Sequence, residues 1–442
     1  MSMHLKKVSP LWAALPMCLF VTAVADAVVY QVPGDYNTIQ DAVDAALASG
    51  DRIEVSSVIS QEDVQVVDKD IEIVAMARPI VVGSFSWSNP GGVAIPAGGL
   101  VEGFHVAGDV IASNVQGSFI ATDLVVDGVI DVSNLLHSSL PRLRVIGCTS
   151  LQDISVFGLL DEHGAGVRIS SCQSSGNIHA RGLQPGIDDC ELTGSGFILC
   201  EAEDGASVSD CIVPDGSINV SAYSYEAYAG GNVVTGGDIT LASHETTVID
   251  NVVRGGDIYA GGDEEARCIG NMCFDGNFGI ALGPAKEFAL IEGNLVVRCR
   301  SGISSGDEHT IIRSNTVVDC TGEGIRAWDD EDVVEQNIVV GCGVGIQLVD
   351  AQTAACNDVW GNTQNWMGAP DQEGINGNFS VDPLFCDPDA DDYTLANTSA
   401  CLPGHHPDGN DCGTVGAFGE GCSGPVPVID ASWGGVKSRF RR

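Results

Sequence analysis

Base, acid and aromatic ring coincide at one place in this chain of 442 residues. Arg326-Ala327-Trp328 runs straight into Asp329-Asp330-Glu331-Asp332, and Lys286, Arg298, Arg300, His309 and Arg313 lie upstream. Such a set suits abstraction of a proton beside a uronate carboxylate. Lys286, Arg298 or Arg326 would be the base, and Trp328 a platform for a sugar ring. Asp329, Asp330 and Asp332 would hold a Ca²⁺ that neutralises the substrate carboxylate. The same residues also read as ordinary surface, arginines paired with a solvated acidic loop. Neither reading requires a cofactor, and Ca²⁺ is the only metal expected.

Other chemistries find less support. The chain has no nucleophile elbow, P-loop or HExxH, and acidic residues are too abundant to single out a hydrolase pair. Asp387, Asp389 and Asp391 are spaced like a calcium loop. Asp392 and Thr398, however, stand where that loop needs Gly and Glu, so a polar turn is expected. The cysteines have no paired CxxC spacing that would suggest a metal centre.

Charge and targeting narrow the setting. Twenty Lys and Arg face sixty Asp and Glu, a net charge of −40. That field excludes nucleic acid and anionic membranes as partners, and it repels a polyanion unless a basic patch or Ca²⁺ intervenes. Lys6, Lys7, the apolar Leu11–Val24 and Ala25-Asp26-Ala27 read as a secretory signal over residues 1–27. No later segment is long and apolar enough to span a bilayer. The mature chain is therefore expected to be secreted or held at the cell surface, with no transmembrane segment. Its balance becomes 18 basic against 59 acidic groups, or −41.

The elements that must position these residues follow from a repeat. Asn232, Asn251, Asn271, Asn294, Asn315, Asn337 and Asn357 recur at intervals of 19, 20, 23, 21, 22 and 20 residues. The first six open similar phrases, such as NVVRGGDI and NIVVGCGVGI: Asn, an apolar run, a Gly-rich turn, then Ile. Cys211, Cys190, Cys172 and Cys148 fill the same slot upstream, with Asp123 and Gly103 before them. A period near twenty residues built from β-branched runs and Gly turns is a β-solenoid signature, and no helical period runs through it. Roughly fourteen coils stacked at about 4.8 Å would make a rod near 65 Å long. Asn is expected in the slot for its tolerance of left-handed backbone and for amide ladders along the rod. Cys299, Cys320 and Cys342 should stack in successive coils. Cys386, Cys401, Cys412 and Cys422 cluster near the end, where two disulfides are expected with three connectivities open. Fifteen mature cysteines leave at least one unpaired in a monomer.

A solenoid needs caps. Residues 35–48 read as a short helix with Ile39, Ala42, Val43, Ala46 and Leu47 on one face, opened by Thr38 and Asp41. The stretch VPGDYNTIQDAVDAALASGDRIEV resembles the opening segment of secreted right-handed parallel β-helix proteins of the pectin-lyase-like superfamily. Asp382-Pro383-Leu384-Phe385, Asp392-Tyr393-Thr394-Leu395 and Gly416-Ala417-Phe418 are similar to the closing segment of many bacterial β-helix repeat proteins, with Cys386 and Cys401 as departures. The resemblance implies an all-β, right-handed parallel β-helix with a short N-terminal capping helix. Taken with the signal and tail, the chain divides into a signal (1–27), cap helix (28–50), β-helix (51–365), C-terminal cap (366–422), and a linker with a basic aromatic tail (423–442); the resemblance covers roughly residues 30–420. It does not choose an activity, because the superfamily holds lyases, hydrolases, esterases, epimerases and non-catalytic surface proteins. The leading expectation is a non-catalytic rod that binds or displays extracellular polysaccharide or a cell-surface component. A Ca²⁺-assisted polysaccharide lyase and a purely structural or adhesion rod are the alternatives. The tail, with Trp433, Phe440 and four Lys or Arg, is a candidate tag for sorting machinery.

Overall fold

The computed structural model describes residues 27–423 except 48, 57–61, 78–79, 90–97, 116, 134–141, 160–165, 284–287, 307–308, 330 and 350–352. The expected secretory signal and the basic tail fall outside the described residues.

Each coil contributes three short strands, and each strand pairs in parallel with its counterpart in the next coil. Gly196–Ala202, Ala206–Ser209 and Ile212–Val213 are one such set. We call the three stacks the first, second and third ladders. The first and second together form a 29-stranded sheet, because Ile239–Ile249 and Ile258–Ile269 run unbroken through the corner between them. The third ladder is a 14-stranded sheet. Strand residues alternate inward and outward, as the period of two requires. Inward positions stack like on like: Ile198, Ile218, Ile239, Ile258, Ile280, Ile303, Ile325 and Ile346 form one column. The rod has about seventeen turns, more than the fourteen expected. Turns beyond the phrases lie at both ends: Val29–Val32 pairs with Ser49–Val55 before the first, and Phe379 bridges Asp358 after the last. Phe85, Trp87, Phe104 and Phe119 pack the N-terminal core.

The slot at the corner between the second and third ladders behaves differently from expectation in one respect. No slot Asn among the described residues has positive φ. The left-handed residue is the one before it: Gly231, Asp250, Gly270, Gly293, Ser314, Gln336 and Cys356. Likewise Gly103 and Asp123 are the left-handed residues, and Phe104 and Leu124 fill the slot itself. Asn is there for its side chain. Each Oδ1 accepts both the backbone N–H and the Nδ2–H of the preceding rung, as Asn251 does from Asn232 at 2.9 Å each. The ladder extends one rung beyond Asn357, to Asn378. In the upstream coils Cys148, Cys172, Cys190 and Cys211 occupy the slot fully buried, and each thiol donates to the carbonyl two residues back.

The N-terminal cap is a shorter helix than expected, Ile39–Ala45. Thr38 Oγ1 accepts the Asp41 N–H at 3.0 Å, and Glu62 takes the N–H groups of Ile39 and Gln40. At the other end Lys69 Nζ donates to the carbonyls of Val43, Asp44 and Ala46. Both sets of orphan backbone groups are thereby satisfied.

At the C-terminal end Phe379 adds one last bridge to the third ladder, against Asp358. The chain then folds back along the side of the rod. A three-stranded sheet of Phe385–Asp387, Asp392–Ala396 and Glu420–Cys422 covers the outer face of the third ladder. Tyr393 packs on Phe274, Leu295, Val297 and Val318, and Leu395 on Ile338 and Val340. This cover explains why the strands Leu295–Val297 and Ile338–Val340 are apolar at every position: they are buried on both faces. Upstream the same ladder is bare, and Val125, Ile212 and Val233 stand exposed.

Two disulfides hold this cover, but not both within the expected cluster. Cys386 joins Cys422, whereas Cys412 reaches back to Cys356 in the rod. Cys401 is left as a buried thiol, because it points into the third ladder at Asp358, whose Oδ2 accepts from Sγ at 3.2 Å. Asp358 Oδ1 accepts the Val381 N–H at 3.0 Å. Burial nevertheless pushes the Asp358 pKa up to about 7. The folded chain holds this proton more tightly than the unfolded chain, so the stability it contributes is fully present below about pH 4 and is lost as pH rises through 7. Asp358→Asn should remove that step. In paired thermal melts the variant is expected to gain on the wild type between roughly pH 5 and 8. A difference that stays constant with pH would show that Asp358 does not titrate in the folded state.

Candidate functional site

The fold keeps Arg326, Trp328 and Asp332 together at one corner and puts Arg298 and Arg313 on other faces. Arg298 lies at the corner between the third and first ladders with φ of 55°. It is held there by Asp275 at 2.9 Å and by Asp391 of the C-terminal cover at 3.0 Å. Arg254 reaches the same Asp391 at 3.3 Å and lies 4.0 Å above the Phe274 ring. Arg313 belongs to the second ladder and pairs with Glu292 at 3.0 Å. Arg326 is in the first ladder, with its guanidinium 3.5 Å over the ring of Trp328, so one face of that ring is taken. Lys286 lies outside the described residues.

The acidic loop after Trp328 closes on itself. Asp332 is buried, and its two oxygens accept from Thr310 N, Ser305 Oγ, Trp328 N and Asp329 N at 2.9–3.2 Å. Burial raises its pKa while these donors oppose the rise. Asp329 accepts the Glu331 N–H, and Glu331 pairs with His309. Asp330 is outside the described residues. Of the three expected Ca²⁺ ligands, Asp329 and Asp332 are thus engaged by the loop's own donors; the described residues contain no group of three or more His, Cys, Asp or Glu placed to hold a metal ion.

A different site lies on the same corner as Trp328, about five turns toward the N-terminus, or roughly 24 Å. The corner between the first and second ladders carries the turn 223–225, with Tyr223 76% and Tyr225 63% exposed. Large aromatic rings held this far into water are unusual in a fold with room to bury them. The turn separates two clefts. One, of about 690 Å³, is lined by Tyr225, Tyr228, Asp204, Ser207, Glu226 and Glu245 among others. The second, of about 500 Å³, is lined by Tyr223, Ser243, His244 and Asp263. The walls come from successive coils, so the residues are about twenty apart in sequence and adjacent in space. Burial raises the Tyr228 pKa, with the carboxylates of Asp210, Asp250 and Glu226 adding to it. The phenol is therefore a hydrogen-bond donor at neutral pH. Sequence reasoning passed over this site, although three tyrosines within SAYSYEAY were a visible signal.

Residues 191–372, which include this corner, match the family model described as "Periplasmic copper-binding protein (NosD)". No curated protein and no solved structure matches the chain. The family's periplasmic description agrees with export, and no helix among the described residues is long and apolar enough to cross a membrane. Copper would require convergent soft donors. The free thiols of the matched span are sealed in the core, and burial pushes those of Cys200, Cys268 and Cys299 up to about 12, so they stay protonated. With no convergent group of three donors, the described residues do not fit a copper site.

Proposed function

We propose that this chain, a right-handed parallel β-helix of the pectin-lyase-like superfamily, is an exported rod that binds carbohydrate without transforming it. The supporting observation is the tyrosine corner, where two exposed rings flank clefts wide enough for sugar rings. Tyrosine offers the C–H face of a sugar a flat apolar surface and a hydroxyl at its rim. Ser207, Gln184 and Ser243 add polar groups that can fix orientation. Arg298 and Arg313, two of the basic residues a lyase could use, are held by carboxylates on other faces of the rod, which favours binding over proton abstraction. The tail beyond residue 423 suits attachment to sorting machinery at the cell surface.

Purified mature chain should bind at least one member of a polysaccharide panel in calorimetry. Tyr225→Ala is expected to weaken that binding about tenfold or more, as loss of a stacking ring does, with the melting temperature unchanged. Failure to bind any glycan would remove the carbohydrate reading. Release of unsaturated uronate from any panel member would overturn the non-catalytic half.

A further inference from the structure

Resting on the carbohydrate reading of the tyrosine corner, we infer that the cleft takes a glycan carrying free amino groups, and that it disfavours the uronate polymers associated with this fold. Three carboxylates, Asp204, Glu226 and Glu245, line the larger cleft, and among the described residues no Lys or Arg lines either cleft. The guanidinium of Arg168, which like Ser207 lies beside Gly186, is committed to Asp188 at 2.5 Å. Among the described residues none of the three carboxylates forms a salt bridge.

Glu226 and Glu245 are moreover direct partners in the parallel register. Like charges facing each other across neighbouring strands destabilise a sheet. The next rung, Glu265, is relieved by Arg267, but the Glu226–Glu245 pair has no such relief. A ligand cation between Tyr225 and these two carboxylates would be attracted by both charges and by the ring face.

The cleft's size and composition select the kind of cation. Among the described residues no group of three donors is placed to make a metal site, and about 690 Å³ is far more than one ion needs. An ammonium on a pyranose satisfies both features, its charge toward Glu226 and Glu245 and its ring on Tyr225. The second cleft across the 223–225 turn, with Tyr223 and Asp263, offers the same pairing of ring and carboxylate to a further sugar of the same chain. An oligomer of glucosamine is the simplest ligand of this description. A polyuronate would set its carboxylates against those of the cleft.

The test compares glucosamine oligomers, their fully N-acetylated counterparts and polygalacturonate for binding to the full mature chain. Glucosamine oligomers are expected to bind, with affinity falling about tenfold from 50 to 500 mM salt as the charges are screened. E226Q/E245Q should cause a loss of about tenfold or more while circular dichroism remains that of the wild type and the melting temperature is equal or higher, as relief of the like-charge pair requires. Equal binding of acetylated and free oligomers, or preference for polygalacturonate, would overturn the amine inference and leave the carbohydrate reading standing. So would retention of binding by E226Q/E245Q when Tyr225→Ala loses it. Failure of every glycan to bind would overturn both.

Discussion

Asn315→Ala is expected to destabilise the rod by about 4 kcal/mol, the largest effect of any single substitution considered. Asn315 is fully buried in the middle of the amide ladder. Its Oδ1 accepts from the backbone N–H and the Nδ2–H of Asn294 at 2.9 Å each. Its Nδ2 donates to the Ile291 carbonyl at 2.9 Å and to Asn337 Oδ1 at 3.0 Å. Alanine leaves two donors of Asn294 buried without an acceptor, and each such group costs about 1–3 kcal/mol. Water cannot reach them without opening the corner. Since each coil of a solenoid is stabilised chiefly by its neighbours, the damage should appear as faster hydrogen exchange in the coils around residues 291–340. Gln173→Ala, on the exposed outer face, should cost less than about 0.5 kcal/mol. A urea melt in which Asn315→Ala matched Gln173→Ala would show that the ladder contributes no stability.

The second large effect is expected from removing the cross-link between the cover and the rod. Cys356 and Cys412 close a loop of 56 residues, for which chain-entropy arguments give about 4 kcal/mol. In C356S/C412S the outer faces of Leu295, Val297, Ile338 and Val340 would lose their covalent hold on Tyr393 and Leu395. The cover should open before the rod unfolds, seen as early proteolysis within residues 379–422 and as binding of an apolar dye. The hydrogen bonds from Gln336 to the Cys412 carbonyl and from Ala417 to Thr316 Oγ1 remain, so detachment should be reversible. Unchanged proteolysis and stability would mean that packing and these bonds alone hold the cover.

These two regions were unequally legible in the sequence. The amide ladder could be read because one residue type recurs in one structural slot, and the physics of that slot repeats at every turn. Its last rung, Asn378, escaped because NFSVDPL departs from the phrase at the point where the chain leaves the rod. Gly103 and Asp123 were placed one residue early because the left-handed position and the slot are adjacent, and both attract small or polar residues. Cys356 was invisible as a disulfide partner, since it occupies a left-handed corner inside the repeat and its mate lies beyond it. The tyrosine corner was overlooked for a related reason. Its walls at Asp204, Tyr225 and Glu245 belong to three different coils and become neighbours only through the register. Trp328 and its acids drew attention because they are contiguous. That contiguity reflects a loop satisfying its own carboxylate.

The amide ladder also gives the rod an electrical direction. From Asn232 to Asn357 every side-chain amide turns its oxygen toward the preceding coil and an N–H toward the following one, so the dipoles add head to tail instead of cancelling. The sum resembles that of a helix axis, with its negative pole where the Cys211 N–H meets Asn232 and its positive pole where Asn378 donates to the Ala354 and Ile375 carbonyls. Each amide polarises the next, so a rung added or lost at one end is felt along the whole file. The thiol-filled coils upstream carry no such file. The molecule is therefore a rod with two materially different halves, one of them polarised along its length.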